Sequence, residues 1–237
     1  MKPRVIAHRG ASGHRPENTT SAFALAIEQR ADMIETDLHR TRDGVIVLTH
    51  DAGLERLGAE GEVGQRSLAE LQALDAGEGE RVPVLSETLD AFGARIPWNL
   101  EIKKPEDGHY EGIEADALEA VTSRGLLAET LFSCFWDPVL ARIRERSAEA
   151  RLALLLDPRY PHEPIVRARK LGAEAINPHW SMIDADLLAA AHDAGLAVYS
   201  YTVDAEDEIR RLVALGVDGL FTNHPDRMRR IVDAAGG

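Results

Sequence analysis

The sequence predicts an α/β fold, a TIM (β/α)8 barrel with an antiparallel hairpin arm after its second strand, and three observations lead there. The chain has 237 residues, close to the roughly 250 that such a barrel needs. Short apolar runs alternate with amphipathic segments along its whole length. That alternation breaks once, where two strand-like runs are separated by only a tight turn.

Strand-like runs lie at 4–8, 33–39, 45–49, 98–103, 130–135, 151–156, 175–178, 197–203 and 219–222. Helical patterns lie at 19–30, 67–75, 86–93, 111–124, 137–148, 163–171, 184–194, 205–215 and 225–234, with apolar residues recurring at the helical period. Strands that alternate with helices build βαβ units and a parallel sheet. Two helix ends share one junction, Leu171-Gly172-Ala173-Glu174-Ala175-Ile176 and Leu215-Gly216-Val217-Asp218-Gly219-Leu220. Glycine there supplies the left-handed residue that closes a helix. Gln29-Arg30-Ala31-Asp32-Met33-Ile34 repeats the junction without the glycine.

Nine strand-like runs are one too many for an eightfold barrel. A parallel crossover needs a dozen or more residues, yet only five separate His39 from Val45. Those five include Asp43-Gly44, a hairpin turn signal. The run at 45–49 therefore runs antiparallel to 33–39 and stands outside the barrel. A two-residue turn pairs Arg42 with Val45 and sets Asp37 opposite His50. No linker or low-complexity segment divides 1–237, so a single domain is expected.

Hydrophobic residues make up 44% and charged residues 28%, the balance of a soluble globular chain. Cys134 is the one cysteine, so no internal disulfide can form, in keeping with a reducing compartment. The apolar run before His8 is too short for a signal sequence, and no stretch approaches a membrane span. A cytoplasmic protein is expected. A net charge of −13 counts against nucleic acid, or stable association with an anionic membrane, as the main partner. A small anionic substrate stays open, because a bound cation and a few Arg or Lys residues can reverse the field locally.

Glu35 and Asp37 are two apart on one strand and share a face. Glu101 lies in the next barrel strand, in Asn99-Leu100-Glu101-Ile102-Lys103. Three carboxylates gathered at a barrel mouth are costly unless a cation neutralises them. All-oxygen ligands select a hard ion, Mg2+ or Ca2+. His8 ends the first strand, and with His50 it forms a pair suited to general acid–base work near neutral pH. Arg9 and Lys103 suit clamping of phosphate oxygens, Arg as a fork and Lys as a point charge. A salt bridge from Lys103 to Glu101 is compatible with that role.

These residues stand in motifs that resemble the glycerophosphodiester phosphodiesterases. The motifs are His8-Arg9-Gly10, Pro16-Glu17-Asn18-Thr19, Glu35-Thr36-Asp37, Thr41-Arg42-Asp43-Gly44 and His50-Asp51. They continue through Leu74-Asp75-Ala76-Gly77, Leu100-Glu101-Ile102-Lys103 and Gly216-Val217-Asp218-Gly219-Leu220-Phe221-Thr222-Asn223. The ordered set covers essentially the whole chain and is similar to the compact form of the family. The resemblance implies hydrolysis of a glycerophosphodiester to sn-glycerol 3-phosphate and an alcohol. It implies one divalent cation on Glu35, Asp37 and Glu101, and His8 and His50 as the acid–base pair. Arg9 and Lys103 would then steady the phosphoryl charge, and Glu17 would orient Arg9 or shape its turn, with Asn18 capping the next helix. The family's usual Trp-Thr-Val-Asn reads Tyr201-Thr202-Val203-Asp204 here, so Tyr201 stands where an aromatic would pack on the glycerol.

Other histidines are weaker candidates. His39 follows the two acids on their face, but the strand is leaving the mouth there, so an exposed hairpin position is expected. His179 and Trp180, after the strand at 175–178, are candidates for the pocket wall. His14, His109, His162, His192 and His224 lie in loops or on helices and are assigned no role. Two rival readings accompany the main one. A phospholipase C-like enzyme or lysophospholipase D on the same barrel would need an apolar segment to reach lipid. A non-catalytic phosphodiester-binding module would be missing a ligand or histidine, and none is missing.

Overall fold

In the computed structural model, which describes residues 2–235, every strand-like run becomes a strand. These are β1 (Arg4–His8), β2 (Met33–Arg40), β3 (Ile46–Leu48), β4 (Trp98–Ile102), β5 (Thr130–Cys134), β6 (Arg151–Leu156), β7 (Ala175–Pro178), β8 (Ala197–Ser200) and β9 (Gly219–Thr222). Hydrogen bonding runs β1-β9-β8-β7-β6-β5-β4-β2, and β1 pairs with β2, so eight strands close a ring. Every pairing in the ring is parallel. The fold is a TIM barrel, with β3 bonded antiparallel to β2 outside the ring.

The hairpin register differs by one residue from the two-residue turn read in the sequence. Leu38 pairs with Leu48 and Arg40 with Ile46, and Thr41 N donates to Val45 O at 2.9 Å. Thr49, not His50, therefore stands across from Asp37. The loop is Arg42-Asp43-Gly44, with Gly44 at φ 87° and its N–H donating to Thr41 O at 3.0 Å. That is the three-residue hairpin, a type I turn followed by a left-handed residue, which Gly makes inexpensive.

The helices are α1 (Thr20–Glu28), α2 (Leu68–Leu71), α3 (Leu85–Phe92), α4 (Ile113–Thr122), α5 (Asp137–Arg146), α6 (Pro164–Leu171), α7 (Ala185–Asp193), α8 (Glu206–Leu215) and α9 (Pro225–Ala235). Thr19 caps α1, its side chain accepting from Ala22 N, and Asp184 caps α7 through Leu187 N. Gly172 and Gly216, both left-handed, close α6 and α8, and Arg30 takes the same conformation at φ 61°. The helix expected at 67–75 is a single turn, α2, with a Ser67/Glu70 capping box. It belongs to an excursion between β3 and α3 whose own small core is Val47, Leu54, Val63, Leu71 and Val82. The helix contributes to it only Leu71, buried, and Leu68, partly buried. No helix among the described residues is long and apolar enough to cross a membrane.

Strand alternation divides the barrel strands between two environments. Val5, Ile34, Trp98, Leu100, Phe132, Leu152, Ile176, Val198 and Leu220 face the helices in one continuous core. Ile6, Met33, Leu131, Ala153, Ala175, Tyr199 and Phe221 fill the barrel. A Cβ at Gly219 would sit 2.8 Å from the Tyr199 ring, so glycine there makes room for the tyrosine. This apolar plug closes the barrel below, and polar side chains occupy the next level up.

Trp98 is 1% exposed, meets the Phe23 ring edge-on with centroids 5.3 Å apart, and its Nε1 has no hydrogen-bond partner. Trp98→Ala is expected to destabilise by about 3–5 kcal/mol. Trp98→Phe removes the unpartnered N–H along with some area, and is expected to cost less than about 1.5 kcal/mol. Urea denaturation of both variants checks the contrast.

Candidate active site

Parallel pairing brings the acidic residues to one level. His8 is in register with Glu35, and Asp37 with Glu101. Registered neighbours in a parallel sheet face the same way, so these side chains converge above the apolar plug, at the C-terminal ends of the strands. Glu35, Asp37 and Glu101 are 2%, 0% and 8% exposed. A carboxylate oxygen from each lies within 4.8 Å of the others.

Arg9 and Lys103 lie among them. Arg9 Nε is 3.1 Å from Asp37 Oδ2, and the Arg9 backbone N–H donates to Glu35 Oε2 at 2.9 Å. Lys103 Nζ is 3.1 Å from Asp37 Oδ1 and 2.5 Å from Glu101 Oε1. One oxygen of each acid, Glu35 Oε1, Asp37 Oδ1 and Glu101 Oε1, is nevertheless buried without an aligned hydrogen bond. Three converging carboxylate oxygens, two of them sharing the single Lys103 ammonium and Glu35 Oε1 with no partner, fit a hard divalent cation.

The ionisation pattern agrees. Burial, with Asp37 and Glu101 adding repulsion, pushes the Glu35 carboxyl well above its ordinary range. Burial also raises Glu101, with Lys103 opposing. For Asp37 burial acts upward too, but Lys103 and then Arg9 outweigh it, and the group is held low. Two partly buried cations thus serve three acids, and a divalent ion would relieve the remaining repulsion.

The histidines flank this cluster. Burial, reinforced by Arg9, pushes His8 down to about 4, so its ring is neutral near pH 7. His8 Nδ1 lies 2.8 Å from Asn223 Oδ1, which leaves Nε2 as the basic nitrogen. His50 comes from the loop after β3, one position beyond the residue opposite Asp37. Burial and then Lys103 lower it, while Asp37 and its Asp51 partner, at 2.8 Å, oppose them. A cavity of about 290 Å3 is lined by His8, Arg9, Glu35, His50, Glu101, Lys103, His179 and Tyr201. A groove of about 720 Å3 continues from Glu101 and Lys103 past Phe135, Trp136 and Tyr160.

The remaining sequence candidates separate. Glu17 accepts from Arg9 Nη1 at 2.9 Å and also pairs with Arg56. Tyr201 lines the cavity, its hydroxyl donating to Leu156 O at 2.7 Å. His179 is in the wall. Trp180 is not among the lining residues and packs, partly buried, against the outer core.

Two expectations are corrected. His39 is not exposed but 1% exposed by area, with Nδ1 2.8 Å from Tyr110 Oη and Nε2 3.0 Å from His50 O. Tyr110, from the approach to α4, covers His39 where the strand leaves the mouth. Asn18 does not cap α1, since Thr19 does. Instead Asn18 Nδ2 donates to Asp37 Oδ2 at 2.9 Å, and Asn18 Oδ1 accepts from Thr36 Oγ1 at 2.7 Å. The adjacent Thr19, itself a good cap, was the signal that Asn18 was free for other work. Asn223 was also missed as a site residue. Its position just past β9 marks it as a rim residue, and Asp204 Oδ2 accepts from its Nδ2 at 2.6 Å.

Arg9 and Asn18 hold left-handed φ of 57° and 58°, joined by Asn18 N donating to Arg9 O at 3.0 Å. Such strain in non-glycine residues concentrates at functional sites. Gly10 follows at φ 79°, and a Cβ there would fall 2.7 Å from the Ala22 backbone carbon. The tight turn lets Arg9 reach across the mouth.

Comparison with known proteins fits this arrangement. The family model described as "Glycerophosphoryl diester phosphodiesterase family" matches residues 8–227. The chain belongs to that family. A glycerophosphodiester phosphodiesterase from Caldanaerobacter subterraneus subsp. tengcongensis is 32% identical over 100% of both chains. A phosphodiesterase from Oleispira antarctica, solved with the product sn-glycerol-3-phosphate, has a TM-score of 0.86 at 29% identity, covering 98% of this chain and 97% of its own. A glycerophosphodiester phosphodiesterase from Agrobacterium tumefaciens has a TM-score of 0.84 at 27% identity, covering 96% and 99%. Membership in the glycerophosphoryl diester phosphodiesterase family makes this protein an enzyme of the phosphodiesterase class.

Burial holds His39 at about 4, below its ordinary 6.5. The unfolded chain then binds the extra proton first as pH falls, so stability declines below about pH 6.5 and is fully lost to this group near its folded value. The melting temperature of the wild type should drop between about pH 7 and about pH 5. In His39→Gln the drop should be smaller, by roughly 2–4 °C per kcal/mol of linkage removed. Thermal melts across that range check it.

Proposed function

We propose that this protein hydrolyses glycerophosphodiesters to sn-glycerol 3-phosphate and an alcohol, with Glu35, Asp37 and Glu101 holding one Mg2+ or Ca2+ ion. The observation that carries the reading is the convergence of three buried carboxylates within 4.8 Å, beside Arg9, Lys103 and two histidines. The Oleispira relative supports the substrate side, being solved with sn-glycerol-3-phosphate.

When bound, the cation would polarise a nonbridging phosphoryl oxygen and lower the pKa of a coordinated hydroxyl or water. Arg9 and Lys103 would hold the other phosphoryl oxygens and stabilise the charge that develops. His8, neutral and anchored through Nδ1 to Asn223, suits the base that takes the proton from the attacking group, either water or the glycerol 2-hydroxyl. In the second case a water then opens the cyclic diester to give glycerol 3-phosphate. His50, more open to solvent and paired with Asp51, suits the acid. As the new P–O bond forms, the bond to the leaving alcohol breaks, and His50 would hand its proton to that oxygen. Glu17 would steady Arg9, and Tyr201 and His179 would border the substrate. Trp180, behind the wall, would not touch it. No ligand or histidine of the set is missing, which counts against a non-catalytic binding module.

The groove past Phe135, Trp136 and Tyr160 favours a second reading of the substrate. Trp136 and Tyr160 are exposed, at 37% and 66%, and no such surface was visible in the sequence. An apolar groove opening from the catalytic cavity would suit a diester that carries an acyl chain, as a lysophospholipase D substrate does.

Release of glycerol 3-phosphate from glycerophosphocholine should require Mg2+ or Ca2+ and stop with EDTA. Glu101→Gln and His50→Ala should each lower kcat/KM by about 10²–10⁴. Release unaffected by EDTA would sink the metal assignment. Faster turnover of a lysophospholipid than of glycerophosphocholine would select the second reading. A separate expectation concerns Asp51, whose carboxylate raises His50. In Asp51→Asn the His50 pKa falls, so the acid is lost at lower pH. The alkaline limb of the kcat/KM profile should therefore move to lower pH, while the acidic limb, set by His8, stays in place.

A further inference from the structure

Among the described residues, one other trio of side chains converges as a metal site would: His14, His224 and Asp226. His14 follows β1, whereas His224 and Asp226 follow β9, so the trio spans the seam where the barrel closes. We propose that these three residues bind a borderline transition ion, Zn2+ or one like it, at a site separate from the carboxylate cluster.

The distances carry the argument. His14 Nε2 lies 3.1 Å from Asp226 Oδ1 and 3.4 Å from His224 Nδ1. A tetrahedral zinc with bonds of about 2.0–2.1 Å sets its ligand atoms about 3.3–3.4 Å apart. A ring nitrogen offers a single in-plane proton or lone pair, so hydrogen bonding serves one of these two neighbours well and the other poorly. An ion between the three atoms serves all of them.

The site is also shaped in advance. A Cβ at Gly13 would fall 2.2 Å from His224 Cε1, so glycine admits the ring and the backbone then confines it. The two imidazoles meet edge to face, with centroids 5.0 Å apart. The side chains of His14 and Asp226 are 38% and 39% exposed, which gives an ion entry from solvent and leaves a position for water. Two imidazoles and one carboxylate form a nitrogen-rich set that prefers Zn2+, Co2+ or Ni2+ to the hard ions suited to three carboxylates.

The position gives the site a consequence. Next to His224 in the chain lies Asn223, whose Oδ1 accepts from Ser12 Oγ at 2.9 Å and faces His8 Nδ1 at 2.8 Å. Gly13 N donates to Asn223 O at 2.8 Å. An ion on His14, His224 and Asp226 clamps together the two loops that hold the His8 ring, acting as a structural tie and not on the phosphodiester.

The test uses the whole protein, stripped with a chelator and then held in excess Mg2+ to occupy the carboxylates. Titration with Co2+ should give one equivalent with the visible absorption of a tetrahedral centre, displaced by Zn2+, and Zn2+ should raise the melting temperature. His14→Ala and Asp226→Asn, at partly exposed positions, should weaken this binding at least about tenfold, a change of about 1.4 kcal/mol. Glu101→Gln should leave it unchanged. Circular dichroism confirms that each variant is folded. Absence of a second class of site in the wild type, or Co2+ binding equal in His14→Ala, overturns the proposal.

Discussion

Three carboxylates buried together at the mouth of the barrel are the constraint around which the rest is arranged. Ionised carboxylates in a space closed to water repel strongly, and Glu35, Asp37 and Glu101 share that space with only Arg9 and Lys103 to offset them. The compensation extends into the surrounding frame. Asn18 leaves the helix cap to Thr19 and donates to Asp37, Arg9 adopts a left-handed backbone that aims its N–H at Glu35, and Glu17 holds the guanidinium in place. What local backbone preference loses at Arg9 and Asn18, the charge cluster regains.

That arrangement explains what could be read in advance. Barrel topology was legible because its signals are periodic and local: apolar strands, amphipathic helices, and a five-residue gap too short for a crossover. The acids were legible because Glu35 and Asp37 carry the two-residue spacing of one strand face, and the motifs around them belong to a recognisable ordered set. Less legible were features decided by a partner distant in sequence. His39 looked exposed because nothing near it announces Tyr110, 71 residues away. The hairpin register was misread by one residue because Arg42 joined the turn, a choice between two-residue and three-residue loops that Asp43-Gly44 alone does not make. Asn18 was read by its neighbourhood as a cap, while its true partner sits on another element.

The two histidines differ in ways that composition would not suggest. His8 is half-buried in the cavity wall, neutral and tied to Asn223. His50 rests on the His39 side chain through its own carbonyl and keeps more contact with water. The same residue type thus meets two environments, and under the proposed mechanism that difference is what would sort base from acid. The His39–Tyr110 pair, with no place in the chemistry, fixes the backbone from which His50 extends.

The closing contact between β1 and β9 has a bearing on how the protein is made. His8 and Asn223 are 215 positions apart, and the ring cannot shut until the β9 segment at 219–222 has left the ribosome. Until then a half-barrel exposes the unpaired edge of β1 and the apolar side chains meant for the barrel interior, both invitations to aggregation. The hairpin arm, formed by neighbours in sequence, can fold early and cover the other flank of β2. The nascent chain is therefore most vulnerable along β1, the strand that carries His8, until β9 pairs with it.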